Sequence, residues 1–129
     1  MSVSRGQALR ELLAEARRSG ITIHADDEAE ALLDWAAMRG GAPPENYQAV
    51  TFGDDIFVRR RYARNVRVLR EEMIHVAQQR AGISADEVLS AEVEARLEMI
   101  RNRHRWALTN EEVREMVEDI RRVRRSERY

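Results

Sequence analysis

Residues 66–79 constrain this chain more than any other stretch. Apolar Val66, Leu69, Met73 and Val76 recur at three- and four-residue steps, the period of an amphipathic helix. Glu71, Glu72, His75, Gln78 and Gln79 fall on the other side of that helix. Residues three and four apart on a helix are neighbours, so Glu71, Glu72 and His75 can converge on one point. A carboxylate and an imidazole one turn apart can share a metal ion, and they can also share a proton.

The spacing follows H-E-x-x-H, in which two His one turn apart hold zinc and the Glu between them is the general base. Here the pattern reads E-E-x-x-H. Glu71 stands where the first His would be, Glu72 at the place of the catalytic Glu, and His75 at the place of the second ligand. Taken alone, the same residues also fit a solvated polar face carrying an incidental His.

Composition narrows the alternatives. The 129 residues suit one domain with a single modest core. No apolar run reaches the ~20 residues that a membrane span needs. Met1, Ser2, Val3, Ser4 and Arg5 lead into a helical pattern without the apolar region of a signal peptide. With no Cys there is neither a disulfide framework nor a thiolate site, so any metal must be held by His, carboxylates or water. All 22 basic residues are Arg. Asp26, Asp27, Glu28, Glu30 and Asp34 form an acidic segment, while Arg59, Arg60, Arg61, Arg64, Arg67 and Arg70 form a basic one, and residues 121–128 another. Such patches suit nucleic acid or an acidic protein. A net charge of −1 and 5% aromatic residues argue against nucleic acid.

Taken in order, Ser4 and Gln7 have capping-box spacing and open a helix with Ala8, Leu9, Leu12, Leu13 and Ala16 inward. Gly20 suits its end. Ile21-Thr22-Ile23 reads as a short strand, and His24 after it as a structural residue. Asp26 or Asp27 caps a second helix carrying Ala29, Leu32, Leu33 and Trp35 to Met38, stopped by Gly40-Gly41. The tandem Pro43-Pro44 marks a loop. Residues 49–52 and 56–58 around Gly53-Asp54-Asp55 form a β-hairpin.

The central helix should run over about residues 63–80 and stop at Gly82. Ser84 to Glu87 is a second box, opening a helix to about Trp106 with Val88, Leu89, Val93, Leu97 and Ile100 buried. Thr109 and Glu112 belong to a third, opening the last helix. The expected fold is α+β and mostly helical, with a small sheet covered by the central helix.

Downstream of His75 lies Ala91-Glu92-Val93-Glu94-Ala95. Glu92 and Glu94 flank the apolar stripe, and periodicity does not choose which of them faces the central helix. Together with the hairpin around Phe52-Gly53-Asp54, the Arg64-Asn65 helix start, and Ile100-Arg101-Asn102 with Trp106 before Leu108-Thr109-Asn110, the arrangement resembles the zincin-like C-terminal domains of bacterial polymorphic (Rhs-type) toxins. The resemblance covers roughly residues 45–120.

That resemblance implies an effector domain made in a bacterial cytoplasm, delivered into a competitor and restrained by an immunity protein. It implies a metal-dependent, peptidase-like hydrolase acting on a protein substrate. Glu72 would be the general base, and Glu71, His75 and Glu92 or Glu94 the metal ligands. Glu71 departs from the family pattern. A carboxylate can still bind zinc, and an oxygen-rich set also suits manganese or iron. The basic segment would meet an acidic immunity protein. Two alternatives stand beside this reading: a non-catalytic interaction domain with a degenerate site, and a nucleic-acid-targeting toxin using the Arg-rich segment.

Overall fold

The structure is a computed structural model and describes residues 3–83 and 87–126. Helix α1 (Arg5–Arg18), strand β1 (Thr22–His24), helix α2 (Asp27–Gly40), strands β2 (Ala49–Phe52) and β3 (Asp55–Val58), and helices α3 (Val66–Arg80), α4 (Val88–Arg101) and α5 (Asn110–Ser126) follow in that order. The expected α+β, mostly helical architecture with a small sheet is present. Among the described residues no helix is long and apolar enough to cross a membrane.

Helix starts are set by side chains that accept from otherwise unpaired amides. Ser4 Oγ accepts from Gln7 N at 3.1 Å, Asp26 Oδ1 from Ala29 N at 3.0 Å, and Asn65 Oδ1 from Val68 N at 3.0 Å. Thr109 and Glu112 form a full reciprocal box, each side chain accepting from the other's amide. The box expected at Ser84, Ala85 and Asp86 lies outside the described residues. Helix α3 begins at Val66 rather than residue 63, because Asn65 supplies the capping acceptor and Arg60–Tyr62 form a separate turn.

The sheet order is β1-β3-β2, with β1 parallel and β2 antiparallel to β3. Phe52 faces Asp55 across the two-residue turn Gly53-Asp54, and Gly53 takes a φ of +60° that favours glycine. Ile56 and Val58 turn one way, into a core with Leu9, Leu12, Val66, Leu69 and Met73. Thr51 pairs with Ile56 and therefore lies on this same face, toward α3. His24 is structural, as expected: its ring stacks on Phe57 at 4.7 Å and its Nε2 meets Asp55 Oδ1 at 2.9 Å.

A second, separate cluster joins Ile74 of α3 to Ala95 and Met99 of α4, Trp106, and Met116 of α5. Helix α4 ends at Arg101, short of Trp106. Asn102 Nδ2 and Arg103 Nη1 bond carbonyls of its last turn, and Ala107 adopts a φ of +56°, so the chain turns Trp106 back inward. The stripe expected on α4 is also displaced. Ala95 and Met99 are fully buried, whereas Val93 and Leu97 are only half-buried. The side chains of Val88 and Leu89 lie outside those described. The inward face of α4 carries Glu92 and Arg96 as well, and apolar periodicity cannot register a face that buries paired charges.

The same holds for α3. Of the two readings of its polar side, a solvated face does not hold for Glu72, which is buried, as is Arg70. Helix α1 covers one flank, β2 and β3 another, and α4 a third. Arg70 Nη1 reaches Glu15 at 2.6 Å and its guanidinium lies 4.7 Å over the Trp106 ring.

The acidic and basic segments pair with each other. Arg59, nearly buried, donates to Glu30 Oε2 at 2.8 Å, Asp34 Oδ1 at 2.6 Å, and the carbonyls of Tyr47 and Pro44 at 2.9 Å each. Arg60 pairs with Asp27. The basic segment is therefore not a single outward face: Arg59 and Arg70 turn in, while Arg61 and Arg64 remain exposed. Replacing Arg59 by Met should destabilise the fold by about 2 kcal/mol, because it strips carbonyls and two carboxylates of a shared donor. Urea unfolding measures this, and a change under ~0.5 kcal/mol would mean that water replaces the guanidinium at little cost.

Candidate metal and proton-transfer site

Helix α3 delivers Glu71, Glu72 and His75 from adjacent turns, and α4 delivers Glu92 opposite them. His75 Nε2 lies 3.2 Å from Glu92 Oε1. On the other side of the ring, Nδ1 meets Gln78 Oε1 at 2.8 Å. The Gln78 amide is oriented by a second bond, Nε2 donating to Ala91 O at 2.9 Å. Its oxygen is thus the atom facing His75, and His75 Nδ1 must carry the hydrogen. Nε2 is left to face Glu92.

Ligand atoms of Glu71, His75 and Glu92 all lie within 4.8 Å of one another. This is the set expected from the sequence, with Glu92 chosen over Glu94. Glu94 is exposed and does not join the cluster. Two residues along a helix turn a side chain by about 200°, so only one of this pair can face α3.

Glu72 is not one of the three grouped ligand residues; it lines the openings beside them and is bonded to the sheet. Thr51 Oγ1 donates to its Oε2 at 2.5 Å. Burial pushes the Glu72 carboxyl up to about 7, against the opposing pull of the Thr51 hydroxyl and of His75. For His75, burial works against the imidazolium, but hydrogen bonds to Glu92 and Gln78 and the charge of Glu72 outweigh it and lift the ring to about 9. Glu92 is held below the ordinary carboxylate range by its bond to His75, against burial, with Arg96 adding to the effect.

Two openings flank this group. A cleft of about 500 Å³ is lined by Ala49, Val50 and Thr51 of β2 together with Glu72, His75 and Glu92. A smaller one of about 230 Å³ is lined by Arg67, Glu71, Glu72, His75, Glu92 and Arg96. A further cleft, about 650 Å³, lies elsewhere, at Glu30, Pro44, Arg59 and Tyr62. No imidazole lines it and its Glu30 and Arg59 are bonded to each other, so it lacks the carboxylate–imidazole grouping of the smaller pair.

Sequence reasoning did not assign roles to Thr51, Gln78 or Arg96. Gln78 sits three residues after His75 and Arg96 four after Glu92, both at helical-neighbour spacing. That signal was present, but it is shared by any polar helix face. Thr51 reaches Glu72 only through the sheet register, which spacing along the chain does not carry. Comparison of the chain with family models, curated proteins and solved structures returns no match.

Proposed function

We propose that this domain is a metal-dependent, peptidase-like hydrolase of the toxin-effector kind. In this reading Glu71, His75 and Glu92 form the ligand set and Glu72 is the proton acceptor. The observation that carries it is the convergence of those three ligand groups beside a buried carboxyl that titrates near 7.

The donor set suits a divalent cation. One imidazole and two carboxylates are offered, and the imidazole has its Nδ1–H bonded outward, the second layer that metal-bound His residues generally have. Two carboxylates to one nitrogen fit manganese or iron as well as zinc. A bound cation would supply Lewis-acid chemistry to a substrate carbonyl and to water. Glu72 needs no metal contact for its part: it holds or releases a proton near neutral pH, where a general base works best. The open side of the cleft along β2 leaves room for substrate.

The toxin context rests on the sequence resemblance. A restraining partner would meet the exposed Arg61 and Arg64 rather than the whole basic run, since Arg59 and Arg70 are engaged within the domain. The nucleic-acid-targeting alternative would likewise have to rest on the exposed Arg61 and Arg64 rather than on the whole run. One observation favours a non-catalytic domain instead: Arg96 already balances Glu92 and Glu71, as it would in a purely structural charge cluster.

Metal titration separates the two. Zn²⁺ and Mn²⁺ should each raise the thermal midpoint of the purified domain by mass action. Gln78→Leu should weaken that binding roughly 10- to 100-fold, because the imidazole loses its orienting acceptor. If neither ion shifts the midpoint at millimolar concentration, the hydrolase reading is wrong.

A further inference from the structure

Arg96 lies on the ligands themselves. Its Nη1 is 2.7 Å from Glu92 Oε2 and also faces the Glu92 carbonyl at 3.3 Å. Its Nη2 is 3.7 Å from Glu71 Oε1. The guanidinium thus spans both carboxylates of the proposed ligand set, and Glu92 divides its two oxygens between His75 and Arg96.

On its far side the guanidinium faces a third carboxylate, Asp119 of α5. Arg96 Nε is 3.4 Å from Asp119 Oδ2, close enough for charge attraction, yet this buried Nε makes no hydrogen bond. The other oxygen of Asp119 accepts from Arg122 Nη2 at 3.0 Å. Arg96 is therefore firmly bound to Glu92 and only loosely to Glu71 and to Asp119. A long, flexible side chain so placed has somewhere to go.

We propose that Arg96 is a displaceable internal cation: it compensates Glu71 and Glu92 in the metal-free protein and moves toward Asp119 when a divalent ion takes those carboxylates. The inference rests on the metal reading above. A guanidinium and a divalent ion cannot both approach the same two carboxylates without strong mutual repulsion, which grows as the inverse of their distance. Arg96 thereby sets a threshold on metal affinity, and Asp119 lowers that threshold by offering the departing charge a second acceptor. Helix α5 becomes linked to the site through one side chain. Arg96 is a gating residue here, with no contact to substrate required.

The test is calorimetric binding of Zn²⁺ and Mn²⁺ to the wild type, Arg96→Gln, Asp119→Asn and the double variant, with thermal melts in EDTA confirming the fold. Arg96→Gln should bind roughly tenfold tighter or better, while melting lower than wild type in EDTA because its carboxylates lose their partner. Asp119→Asn should bind a few-fold more weakly than wild type. In the Arg96→Gln background the same Asp119 change should do nothing, since no guanidinium remains to be received. Arg96→Lys, which keeps the charge on a shorter, unforked side chain, should fold and fall between the two.

If wild type binds and Arg96→Gln binds no tighter, the gate is refuted while the metal site stands. If Asp119→Asn weakens binding equally in both backgrounds, the route through α5 is refuted. If wild type and Arg96→Gln both fail to bind at millimolar ion, the metal reading falls and takes the gate with it.

Discussion

Glu72→Gln should abolish hydrolysis while making the protein more stable at neutral and alkaline pH. Loss of a positioned general base costs about 10²- to 10⁴-fold in rate, and Gln keeps the shape that accepts from Thr51. The stability change follows from the raised carboxyl. Folded, Glu72 titrates near 7, against 4.5 for an ordinary Glu. A group raised in this way contributes fully below 4.5, and its contribution drains away as pH rises to about 7. At ~1.4 kcal/mol per pH unit, that interval amounts to roughly 3 kcal/mol above pH 7. Gln never ionises and escapes the penalty. Thermal melts of both proteins between pH 4 and 8 read this directly. Parallel curves would show that Glu72 is not held up by burial, and full toxicity of Glu72→Gln in cells would remove it from the chemistry.

His75→Ala has the second large effect. It should lower Zn²⁺ or Mn²⁺ affinity more than about 100-fold, beyond what loss of an outer hydrogen bond costs, and abolish activity with it. In the wild type, metal must compete with a proton that leaves near 9, so affinity should climb with pH up to that point. The metal-free protein should behave oppositely. An imidazole raised from 6.5 to about 9 stabilises the fold below 6.5, and that contribution is lost as pH rises through 9. This loss should be missing in His75→Ala. With the Glu72 limb beneath it, metal-free wild type should be most stable in weak acid, until Glu92, held low, protonates and removes its own share. Binding isotherms and melts across pH 5 to 10 test both halves. Unchanged affinity in His75→Ala would place the ion elsewhere.

Much of this was legible in the residues. Caps at Ser4, Asp26 and Thr109 and the hairpin at Gly53-Asp54 are local, so the spacing that encodes them lies within a few positions. The Glu71–His75 pair is equally local. What failed was long-range or amphipathic in a charged sense. The α4 stripe was misplaced because Glu92 and Arg96 are paired partly inside, which a hydrophobic pattern scores as outside. The burial of Glu72 was not legible, because only the β2 register brings Thr51 onto it. The opposed acid and base segments looked like two surfaces, although Arg59 closes onto Glu30 and Asp34 across nearly thirty residues. Choosing Glu92 over Glu94 required the roll of α4, and the following Trp106 turn fixes that roll through the Met99 and Met116 cluster.

The division of the interior into two clusters has a consequence for how the site is held together. One cluster ties α1, the sheet and α3 together; the other ties α4 and α5 to α3 through Ile74. Glu71 and His75 belong to the first unit, and Glu92 and Arg96 to the second. Among the described residues the site thus draws its groups from the helices of both clusters, which are also joined by Arg5 bonding Ala107 O and Glu112 and by Arg70 over the Trp106 ring. An ion gripped from both banks would act as a further clasp between these helices, beside those of Arg5 and Arg70.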